Sequence, residues 1–105
     1  MNTNHINFEE AKAIATKQAL LELGPFMHGH SSEVLWGHYL EAEYCWMFFR
    51  NPEIQIPKGA LLGIEWAYVV SKKGAFSLVQ DFSYNAEKLH AYLKSMSDYF
   101  KRRGE

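Results

Sequence analysis

The spacing of apolar residues changes along the chain, and each change marks an element. From Phe8 to Leu23 no Gly or Pro intervenes. Ala11, Ile14, Ala15 and Leu21 recur there at helical spacing, with Gln18 between them. Asn7 stands before this run and Glu10 lies three residues on, the arrangement of a capping box. Gly24-Pro25 then ends the predicted helix. Near the other end of the chain, Leu89, Tyr92, Leu93, Met96 and Phe100 form a second helical stripe. Asn85 is placed to cap it, and Lys101, Arg102 and Arg103 suit the negative end of its dipole.

Between the helices the pattern is that of strands. Glu33 to Leu40 and Tyr44 to Arg50 are rich in aromatic and branched residues, joined near Glu41-Ala42-Glu43; one long bent strand is the alternative. Ile64 to Val70 and Ala75 to Phe82 form the clearest hairpin, closed by Ser71-Lys72-Lys73-Gly74. Phe26 to Ser32 reads as a loop, and Asn51 to Gly63, with Pro52, Pro57, Gly59 and Gly63, as a long excursion. Strands grouped between two helices predict an α+β domain over residues 1–105. Its expected architecture is a four-stranded antiparallel sheet with the N-terminal and C-terminal helices packed on one face.

Tyr44 to Phe49 departs from the alternation of a half-exposed strand. Tyr44, Trp46 and Phe48 would face one way and Cys45, Met47 and Phe49 the other, so this strand should be interior and covered on both sides. With both helices on one face, the other needs the Pro-containing excursion, a partner protein or a second copy of the chain.

Composition narrows the function classes. Eleven Lys and Arg against twelve Asp and Glu give a formal charge of -1, which offers no basic field for nucleic acid. No apolar run is long enough to span a bilayer, no secretory leader is expected, and one cysteine cannot close an intramolecular disulfide; these features suggest a cytoplasmic protein.

Candidate chemistry is sparse. His28 and His30, with His38, could share a metal, with Glu33 or Glu41 adding a carboxylate, but no established ligand spacing accompanies them. Cys45 could act as a nucleophile only beside a base, and its apolar neighbours favour a buried, protonated thiol. Glu41 and Glu43 could form an acid pair or a solvated acidic edge. Trp36, Trp46, Trp66 and Tyr68 could line a small-molecule pocket between sheet and helices, against the simpler role of core packing.

The segments Cys45-Trp46-Met47-Phe48-Phe49, Gly63 to Val70 with Lys72 and Gly74, and Leu89 to Leu93 resemble a family of small bacterial domains that includes toxin-neutralising immunity proteins. The chain departs from that pattern at Ser71 and Lys72, where an acidic residue usually precedes the turn. The resemblance implies a non-enzymatic, cofactor-free domain that binds a protein partner such as a toxin. Glu33, Glu41, Glu43 and Trp36 are then the expected partner-binding residues, Glu33, Glu41 and Glu43 forming an acidic rim toward a basic target. A homodimer is compatible with this reading. The alternative function is small-molecule binding by the four aromatics named above.

Overall fold

Asn7 starts the first helix through a reciprocal pair of bonds. Its Oδ1 accepts from the Glu10 N–H at 2.8 Å, and its own N–H donates to Glu10 Oε1 at 2.9 Å. Two amides of the first turn are thereby satisfied. The helix, α1, runs Phe8–Leu23. The computed structural model describes residues 5–23, 34–51 and 66–105. The expected loop Phe26 to Ser32 and nearly all of the excursion Asn51 to Gly63 lie outside them.

Four strands follow: β1 (Leu35–Glu41), β2 (Cys45–Arg50), β3 (Trp66–Ser71) and β4 (Phe76–Gln80), antiparallel in the order β1-β2-β3-β4. Ala42 N–H donates to the Cys45 carbonyl at 2.8 Å, so β1 and β2 are two strands with a turn and not one bent strand. In the β3–β4 turn Gly74 adopts φ 96°, where a side chain would be strained. The Ser71 hydroxyl accepts from the Lys73 and Ala75 amides at 3.2 and 2.9 Å, which fixes the turn.

The second helix, α2 (Ala86–Arg103), begins at Asn85, whose Oδ1 accepts from the Lys88 N–H at 3.1 Å. Gly104 ends it at φ 71°, its N–H donating to the Lys101 carbonyl while the Glu105 N–H donates to that of Phe100. These paired bonds are those of a Schellman cap.

The α+β class, the antiparallel sheet and the flanking terminal helices match the sequence reading, but the helices do not share a face. Ala11, Ala15 and Ala19 of α1 pack with Trp46 and Phe48 of β2 and Tyr68 and Val70 of β3. Leu93, Met96 and Phe100 of α2 pack on the other side, with Cys45, Met47, Phe49, Ala67, Val69 and Val79. The reason lies in β2. Cys45 to Phe49 are all buried, and both helices on one face would leave Met47 and Phe49 in water at about 1.5–3 kcal/mol each. One helix per face removes the need for an external cover.

A smaller correction concerns α1. The buried stripe is centred on Ala15, and Leu21 lies well round the helix from it, 70% exposed. Ile14 is half-buried against the α1-side core, as its spacing predicts.

Candidate functional site

With each sheet face closed by a helix, the strand margins are the remaining open edges of the described sheet. They differ. Of β4 only Gln80 is exposed, whereas β1 exposes Trp36, Gly37, His38 and Tyr39 in succession. The cause is a register break. Leu35 pairs with Arg50 and Tyr39 with Phe48, so Trp36, Gly37 and His38 all stand opposite Phe49. Extra residues on one strand bend it and re-aim its side chains.

The rings at this margin are held in place. Trp36 packs on His38 at 4.5 Å between centroids and meets Phe49 edge-on at 6.5 Å. Tyr39 packs on Phe8 at 4.6 Å and lies 6.1 Å from Phe48. Phe49 belongs to the α2-side core and Phe48 to the α1-side core, so the two aromatics rest on opposite sides of the sheet. Trp36 nevertheless keeps 41% of its surface exposed and Tyr39 43%. The sequence offers His38 only as a candidate metal ligand and does not point to Tyr39. The signal was Gly37, since an isolated Gly within a strand pattern often marks a bulge.

The acidic rim is only partly described. Glu33 lies outside the described residues. Glu41 ends β1 half-exposed and is ion-paired with Lys72 at 2.5 Å. Glu43 is exposed in the β1–β2 turn.

The four aromatics proposed for a ligand pocket are not brought together. Trp46 and Tyr68 are buried in the core beneath α1, and half-buried Trp66 opens β3 opposite Gln80. Trp36 stands on β1 against Phe49, whose side chain enters the other core.

Of the candidate metal ligands, His28 and His30 fall outside the described residues, and His38 is an exposed edge residue. Among the described residues no three His, Cys, Asp or Glu side chains gather as a metal site would require. Cys45 is buried, as its neighbours indicated. Burial pushes its thiol up to about 11, and the nearby Lys72 charge offsets only part of that rise, so the group stays protonated at neutral pH. Among the described residues no helix is long and apolar enough to cross a membrane. Compared with known proteins, the chain matches no family model, no curated sequence and no solved structure.

Proposed function

We propose that this is a non-enzymatic protein-binding domain of immunity type, which neutralises a partner by docking through the β1 margin. The observation that carries the reading is the exposure of Trp36 and Tyr39, which flank the bulged edge strand from its two sides, on an otherwise well-covered sheet. Aromatic rings that are already packed on one side lose little freedom on binding and dominate the energy of interfaces. The same bulge blunts backbone pairing at the edge, which favours recognition by side chains over addition of a strand. The partner is a protein toxin with a basic contact surface, to which Glu43 and the exposed part of Glu41 present carboxylates.

The test is co-expression with a toxin encoded beside the gene. Protection by the native chain, lost in Trp36→Ala/Tyr39→Ala while the melting temperature holds within a few degrees, is the expected result. Killing that proceeds unchanged in the presence of the native chain rejects the proposal.

A further inference from the structure

At the end of the sheet away from the bulge, two cavities of about 120 and 260 Å³ adjoin. Both take in His5, Tyr44 and Lys72, so they form one cleft astride Lys72. Its frame is rigid. Tyr44 N–H donates to the Ser97 hydroxyl at 3.0 Å, the Tyr44 carbonyl accepts from the Lys72 N–H at 2.9 Å, and the Lys72 carbonyl accepts from the Ile6 N–H at 2.8 Å. Trp46, Tyr44 and Phe100 contribute apolar walls.

Three lysines from two elements meet at the smaller cavity: Lys72 and Lys73 from the β3–β4 turn, Lys101 from the last turn of α2. Lys72 has its side chain 21% exposed, lies 4.4 Å from the Trp46 ring centre and is balanced by Glu41. Lys73 Nζ donates to the Gly104 carbonyl at 3.2 Å, and Lys101 lies 5.8 Å from the Tyr44 ring centre. Neither of these contacts supplies a counter-charge. Of the acids at the cleft, Glu105 bonds Arg103 and Glu43 lines only the larger cavity. The negative end of α2 is moderated by its Schellman cap, which occupies the Phe100 and Lys101 carbonyls. The smaller cavity therefore has an excess of positive charge beside an aromatic floor.

We propose that this cleft binds the oxyanion group of a small molecule, a carboxylate or a phosphate, between Lys72, Lys73 and Lys101. The cleft borders the acidic rim at Glu41 and Glu43 but involves neither Trp36 nor Tyr39, so variants of those two aromatics test the docking margin without altering the three lysines. Amide shifts of the full chain, followed by NMR at low salt during titration with inorganic phosphate and separately with acetate, test it. Saturable shifts confined to residues 72–74 and 101–104 are expected with at least one probe, and the probe that saturates identifies the group. Lys73→Gln and Lys101→Gln should each weaken binding about tenfold, as loss of one charge-assisted bond implies. Lys94→Gln, an exposed change elsewhere on α2, should leave it unchanged. Shifts that fail to saturate with both probes, or equal affinity in the Lys73→Gln/Lys101→Gln variant, overturn the proposal.

Discussion

The two sides of the sheet solve the same packing problem in different ways. On the α1 side the helix contributes Ala11, Ala15 and Ala19, and the sheet contributes Trp46, Phe48 and Tyr68. On the α2 side the sheet contributes Met47 and Phe49 beside the smaller Cys45, Ala67, Val69 and Val79, and the helix contributes Leu93, Met96 and Phe100. Small side chains on one layer permit large ones on the other, because interiors fill to a nearly constant density. The contrast shows where each interface carries its volume: in the strands under α1, and in both layers on the α2 side.

Substitutions that reverse this division should separate the faces. The largest loss is expected for Phe100→Ala, which empties the bulkiest helix position on the α2 side and should cost about 3–5 kcal/mol in denaturant unfolding. A small change there would mean that α2 packs loosely. Ala15→Leu makes the opposite error, crowding the α1 side where the sheet already supplies the bulk. Its expected cost is about 1–3 kcal/mol, and a neutral result would refute close packing of α1.

A third probe uses the fully buried thiol on the α2 side. Cys45 keeps its proton in the folded state up to about pH 11, while the unfolded chain releases it from its ordinary value of 9.0. Stability should therefore fall as pH rises through that window, and less steeply in Cys45→Ala. Superimposable urea midpoints of the two proteins, once offset to a common value at pH 8, would remove this account of the thiol.

The smallest effects belong to the helix starts. Asn85→Ala removes the one side-chain bond to Lys88 N–H and should cost about 1 kcal/mol. Asn7→Ala removes the side-chain acceptor of the Glu10 N–H but keeps the backbone N–H that donates to Glu10 Oε1, so its cost should be similar, about 1 kcal/mol. Equal melting temperatures for Asn7→Ala and the native chain would show that the Asn7 side chain adds nothing to α1.

Much of this is legible in the sequence. Asn7, Asn85 and the Leu89 to Phe100 stripe act as their spacing predicts, and β2 is interior because its apolar residues do not alternate. The sidedness of the helices was not legible, since a stripe shows that a helix is covered and not which sheet face covers it. Nor was the exposure of the β1 margin. Trp36 and Trp46 look alike in sequence, yet one lies beside a bulge at an edge and the other beneath α1. Glu41 likewise reads as a free acid until the turn carrying Lys72 is placed beside it.

Local order was written in the sequence: two capped helices, four strands and a turn that needs Gly74, all set by neighbours within a few positions. Tertiary structure alone decided which face each helix took, where register slipped on β1, and which three lysines met at the end of α2. Those outcomes depend on contacts between residues distant along the chain, and they are settled by how volume and charge are shared once all the layers close together.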